Sequence, residues 1–179
     1  MMLLIYPIKL AWRFLVFVYE RFGMSGVLAV AVVLYLKFYR MQGSNSKKKI
    51  GKYFTLADLT KTNKNISNIP DANEEGRLVE LMQKLGDPVY ELIGGYTMNS
   101  GHREPEVNAA VGGVETSDHV KSFAIDLKPK KMTVSEAFTR IKVSALPYHQ
   151  LIHERNGMGE WIHLSYSRTP SRKAFTLFK

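Results

Sequence analysis

The stretch Ser117-Asp118-His119-Val120-Lys121-Ser122-Phe123-Ala124-Ile125-Asp126-Leu127 joins a turn to a strand. Phe123, Ile125 and Leu127 alternate with Ala124 and Asp126, the period-two pattern of a half-buried strand, so Asp126 points away from the apolar layer. Further on, Glu160-Trp161-Ile162-His163 adds a second imidazole and another carboxylate. Catalytic zinc takes about three protein ligands from His and Asp/Glu and keeps a remaining position for water. His119, Asp126 and His163 supply that set. Glu160, close before a ligand, is then free to take the proton of that water as general base and to pass it to the leaving amine. The chain has no cysteine, so no thiolate is among the ligands.

The surrounding pattern places these residues on an α+β scaffold. Gln150-Leu151-Ile152-His153-Glu154 and Trp161-Ile162-His163-Leu164-Ser165-Tyr166 flank Arg155-Asn156-Gly157-Met158-Gly159, where Asn-Gly signals a hairpin. Glu160 and His163 would point to opposite faces of a regular strand. Glu160 is therefore expected at a bend outside the ladder, with Gly157 and Gly159 supplying the freedom. Leu78, Leu81, Met82 and Leu85 form a helical stripe from Glu74 to Leu85, ended by Gly86-Asp87-Pro88. Val134, Ala137, Phe138 and Ile141 mark a second helix that starts on a Thr133/Glu136 capping box. A short third one runs from Glu104 to Ala110, with Pro105 in its first turn. Elements that do not alternate strictly as βαβ suggest a small antiparallel sheet with flanking helices, and residues 53–179 suffice for one core.

The first 41 residues are chain of another kind. Val27 to Leu36 is continuously apolar, and Tyr35, Phe38 and Tyr39 with Lys37 and Arg40 form a flank suited to a membrane interface. Phe22 to Tyr39 approaches the roughly 20 residues needed to span if Lys37 snorkels. Met1 to Tyr19 is apolar too but carries Pro7, Lys9 and Arg13; it lies in the interface or forms a second, poorer span. The bulky exit Leu36-Lys37-Phe38-Tyr39-Arg40 lacks the small-residue site of a cleaved signal peptide, so residues 1–41 read as a retained anchor in a lipid bilayer. Residues 42–52, with Lys47-Lys48-Lys49, read as a basic flexible linker.

Charge separates the parts. Residues 1–52 hold nine Lys/Arg against one Glu, whereas residues 53–179 hold sixteen Lys/Arg against fifteen Asp/Glu. A nucleic-acid-binding domain carries its own positive surface, and this one is nearly neutral, which argues against a nucleic-acid partner. The lysine run instead suits anionic lipid headgroups, with orientation open because basic residues lie on both sides of the apolar run.

Several stretches together resemble the M15 family of zinc peptidoglycan peptidases. They are Tyr53-Phe54-Thr55-Leu56-Ala57-Asp58-Leu59, Asn68-Ile69-Pro70, Ser100-Gly101-His102-Arg103-Glu104-Pro105-Glu106-Val107-Asn108 with Val111-Gly112-Gly113, Ser117-x-His119 leading to Ala124-x-Asp126, Gln150-Leu151-Ile152, and Trp161-Ile162-His163-Leu164-Ser165. The resemblance implies zinc on His119, Asp126 and His163, with Glu160 as general base. It also implies Arg103 facing substrate, where a guanidinium can brace the developing oxyanion. Ser117 would orient His119 or touch substrate. The chain departs from the family pattern at Ser122, where Gly is usual, at His102, where Tyr is usual, and at His149, where Asp is common. His149 and His153 read as strand or surface residues.

The expectation is a membrane-anchored zinc peptidase acting on bacterial peptidoglycan from the bacterial inner membrane or a virion membrane. Its activity would be that of a D-alanyl-D-alanine carboxypeptidase or an L-alanyl-D-glutamate endopeptidase, with a phage role in lysis suggested by pairing a small lysin-like domain with an anchor. The alternatives are a non-catalytic zinc-binding module that recognises cell wall and a membrane structural protein.

Overall fold

The computed structural model describes residues 16, 19–33, 47–157 and 159–178, in two compact units, Met1–Asn45 and Ser46–Lys179. In the first unit, residues 19–33 are helical, with Tyr19, Phe22, Met24 and Leu28 exposed. Among the described residues no helix is long and apolar enough to cross a membrane. The anchor expected over residues 1–41 is thus not supported there. Leu34 to Leu36, the aromatic flank after them and most of Met1 to Tyr19 lie outside the described residues.

The second unit starts earlier than the sequence suggests. Residues 47–52 belong to it rather than to a free linker, because Ile50 is buried in the core. The Leu56 amide donates to the Lys48 carbonyl at 2.7 Å, and the Lys52 amide donates to Asp87 at 2.7 Å. Thr55 and Asp58 form a capping box on α1 (Leu56–Leu59).

A second capping box, Asp71 with Glu74, starts α2 (Ala72–Leu81). The expected stop at Gly86-Asp87-Pro88 does not occur. The chain widens into a π-turn, Met82–Gly86, and runs on as α3 (Asp87–Leu92). Pro88 lies in the first turn of α3, directly after the π-turn. Leu78, Leu81, Met82 and Leu85 are fully buried, so the apolar stripe continues through the turn. Each such side chain contributes about 1.5–3 kcal/mol by leaving water.

The sheet has five strands in the order β1-β2-β4-β3-β5: β1 (Tyr96–Ser100), β2 (Ala124–Pro129), β3 (Tyr148–Asn156), β4 (Gly159–Tyr166) and β5 (Lys173–Phe178). Between β1 and β2 lies α4 (Pro105–Ala110), and between β2 and β3 lies α5 (Val134–Val143), on the expected Thr133/Glu136 box. The first four strands pair antiparallel, whereas β5 pairs with β3 in parallel, so the sheet is mixed rather than antiparallel. Connectivity explains this. Tyr166 ends β4 opposite Tyr148 at the start of β3, and the chain steps over that start into β5, which can only run alongside β3 in the same direction. Arg172, at φ 51°, pins the step by donating to the carbonyls of Lys142 and Ser144 at 3.2 and 2.8 Å.

Register divides the sheet into two faces. Ile125, Leu127, Leu151, Ile162 and Leu164 are fully buried in one hydrophobic cluster with Val134, Ala137 and Ile141 of α5. The opposite face carries Asp126, His163 and Ile152, which are mutual partners across β2, β4 and β3.

Candidate metal centre

Three segments distant in sequence bring their donors to one point. Asp126 and His163 are direct cross-strand partners, so the pleat alone puts them side by side. His119 arrives from the turn before β2. The Ser117 hydroxyl accepts from the His119 amide at 3.3 Å, and the His119 carbonyl accepts from Arg103 and Ser122 amides at 3.2 and 3.1 Å. Its ring is set by the Gly101 carbonyl, 2.6 Å from Nδ1. A carbonyl only accepts, so Nδ1 carries the proton and Nε2 of the neutral ring turns a lone pair inward.

The inward atoms form a tight triangle. His119 Nε2 lies 3.2 Å from Asp126 Oδ1 and 3.2 Å from His163 Nδ1, and the latter two are 3.0 Å apart. Three N and O ligands on bonds of 2.0–2.2 Å at tetrahedral angles stand about 3.3–3.6 Å apart, a few tenths of an ångström wider than this triangle. Donor chemistry and spacing both fit a zinc ion at this point. His119, Asp126 and His163 are all buried.

Electrostatics favour the ligand forms. Burial lowers the pKa of His119, which favours the neutral imidazole, although Asp126 opposes that shift. Burial would raise the Asp126 carboxyl, but in the metal-free protein His119 and His163, once protonated, outweigh it by charge and hydrogen bonding and hold it well below the usual carboxylate range.

Arg103 stands beside the triangle. Its Nη2 is 2.5 Å from Asp126 Oδ2 and its Nε donates to Ser100 Oγ at 2.9 Å, so it steadies a ligand by its outer oxygen. A register shift between Met98 and Ser100 in β1 puts Ser100 opposite Asp126. The sequence signal for this partnership would have been a pairing of β1 with β2, which no local pattern shows.

Glu160 is not brought to the triangle. It lies in the ladder, opposite Arg155, rather than at a bend outside it. Gly159 absorbs a φ of 129° before it, and the strand is regular from there. Three positions from His163, Glu160 therefore points to the core-side face. There it meets His153, whose Nε2 is 2.8 Å from Glu160 Oε2 and whose ring lies 6.1 Å from that of Phe138.

The two departures nearest the site are joined to each other. Ser122, fully buried at φ 61°, is hydrogen-bonded through Oγ to His102 Nδ1 at 2.8 Å. A glycine would hold that backbone without strain, and the serine gives His102 a partner. His102 also belongs to a looser group with Glu74 and Glu104, but Glu74 is engaged in capping α2.

The sequence model of the family described as Peptidase M15 matches residues 52–165, a span that contains the whole triangle. The chain belongs to the M15 peptidases. Peptide-bond hydrolysis is the chemistry of this family, and its members are zinc enzymes. A search of curated proteins gave no significant match.

Proposed function

We propose that this M15 peptidase is a zinc-dependent hydrolase of peptide bonds in bacterial peptidoglycan. The observation that carries the reading is the convergence of His119 Nε2, Asp126 Oδ1 and His163 Nδ1 at zinc-ligand spacing. His119, Asp126 and His163 would hold the metal. Zinc, when bound, supplies a Lewis acid for the scissile carbonyl and eases deprotonation of a water. The chain's own residues prepare that chemistry. Gly101 fixes the tautomer of His119, Arg103 holds Asp126 by its outer oxygen, and a carboxylate beside the water must receive the proton.

The basic run Lys47 to Lys49 and the apolar run Val27 to Leu36 support a further reading, in which residues 1–41 hold the enzyme at a bacterial or virion membrane next to its cell-wall substrate. Flotation of the full chain with anionic vesicles tests the tether, and recovery only in the vesicle-free fraction would remove it.

The activity itself is tested by incubating the zinc-loaded full chain with purified peptidoglycan and identifying new termini by mass spectrometry. New termini that vanish with a chelator and return with zinc support the reading and name the bond as D-alanyl-D-alanine or L-alanyl-D-glutamate. Zinc binding without cleavage would favour a cell-wall-recognition module instead.

A further inference from the structure

We propose that Glu154, rather than Glu160, is the carboxylate that receives the proton of the attacking water; the proposal rests on the peptidase reading above. Register carries it. Across β3 and β4, Ile152 pairs with His163, Glu154 with Trp161 and Arg155 with Glu160. Paired residues share a face and alternate residues return to it, so Glu154 lies on the face of His163 and Asp126 while Glu160 lies on the other. Glu154 is the diagonal neighbour of His163, at about 7 Å between Cβ atoms, a gap that a glutamate side chain can bridge.

Burial supports the assignment. Glu154 is only 8 % exposed, on a sheet face shared with Ile152 at 8 % and His163 at 8 %. A carboxylate in such a place is sheltered from bulk water, where a proton acceptor beside a reacting water is most effective. Glu160 is more exposed, with 38 % of its side chain open.

The step balances without any further reactant. Water adds its oxygen to the scissile carbonyl carbon while one of its protons moves to the Glu154 carboxylate. As the C–N bond breaks, that proton passes from Glu154 to the leaving nitrogen, so the products are a carboxylic acid and an amine and Glu154 is again ionised.

The test compares the full chain with Glu154→Gln, Glu160→Gln and His163→Ala, each measured for zinc content, thermal midpoint, peptidoglycan cleavage and binding of acetohydroxamate to the cobalt-substituted protein by visible absorption. Glu154→Gln keeps zinc and fold but lowers cleavage by about 10²- to 10⁴-fold. It also weakens acetohydroxamate about tenfold, because a neutral amide replaces the charged acceptor of the ligand's hydroxyl. Glu160→Gln stays within about threefold in both readouts, far below the loss expected of a general base. If Glu154→Gln unfolds, Glu154→Asp, which keeps the charge but draws it back by one methylene, replaces it in both assays, and a fall in cleavage and in hydroxamate affinity is expected from the lost reach. The proposal is overturned if Glu160→Gln shows the large losses, if Glu154→Gln loses its zinc, or if the variants at 154 match the wild type in both readouts. Failure of the peptidase reading looks different: the wild type binds zinc and cleaves nothing, and the hydroxamate arm still decides whether Glu154 faces the metal.

Discussion

Replacing Ser122 by glycine and, separately, by alanine distinguishes backbone strain from the side-chain contact at the turn that presents His119. Ser122 has φ 61°, where an L-residue pays roughly 1–2 kcal/mol and glycine does not. Either replacement removes the hydroxyl bonded to His102 Nδ1 at 2.8 Å, with both residues buried. Leaving that nitrogen without its partner costs about 1–3 kcal/mol. Alanine keeps the strain and loses the bond. Glycine loses the bond and relieves the strain, although its freer unfolded chain returns about 0.4–1 kcal/mol of the gain. The glycine variant should therefore be the more stable of the two by about 0.5–1 kcal/mol, and both should lie below the wild type. For a unit of this size the difference is roughly 2–4 °C in thermal midpoint, measured by circular dichroism on the zinc-loaded chain. Adding His102→Phe should restore part of the loss in each, with a coupling of about 0.5–3 kcal/mol. An alanine variant as stable as the glycine one would refute the strain argument, and zero coupling would refute the contact.

Other perturbations reach the site from its supports. Gly101→Ala places a Cβ 2.4 Å from the Leu59 carbonyl oxygen; the backbone must shift, with an expected loss of about 1–3 kcal/mol in chemical denaturation. Because the Gly101 carbonyl orients His119, chelator competition should show weaker zinc binding in the same variant. Arg103→Ala removes the partner of Asp126 Oδ2 and should lower zinc affinity by about 10- to 100-fold, whereas unchanged affinity would leave Arg103 a substrate-side role only. Acid should weaken the metal-free protein in two stages. His119 has a lowered pKa when folded, so its contribution is complete above the ordinary value of 6.5 and declines as pH falls through that value toward the folded one. The depressed carboxyl of Asp126 adds a contribution that is complete above about 3.8 and lost below it. Urea midpoints that stay flat between pH 7.5 and 5.5 would contradict the first stage.

What could be read from the sequence was local. The Thr133/Glu136 capping box, the alternation from Phe123 to Leu127 and the hairpin around Asn156-Gly157 each depend on residues a few positions apart, and the structure bears all three out. His119, Asp126 and His163 were singled out by residue type and family spacing, and the sheet brings them together. Long-range properties were not legible. The parallel β5 follows from where β4 ends relative to β3, and the continuation of α2 into α3 follows from burial of Met82 and Leu85. The face on which Glu160 lies depends on its regular place in the ladder after Gly159, and a one-residue slip would have reversed it. Arg103 finds Asp126 only because β1 pairs with β2.

Zinc-edge X-ray absorption on the stoichiometrically loaded full chain, beside Asp126→Asn and His163→Ala, tests the central claim most directly. Two imidazole nitrogens and one carboxylate oxygen at about 2.0–2.2 Å with one further light atom are expected in the wild type, and an altered or empty shell in each variant. A chain that takes up no zinc, or a shell that is unchanged in both variants, would contradict the claim.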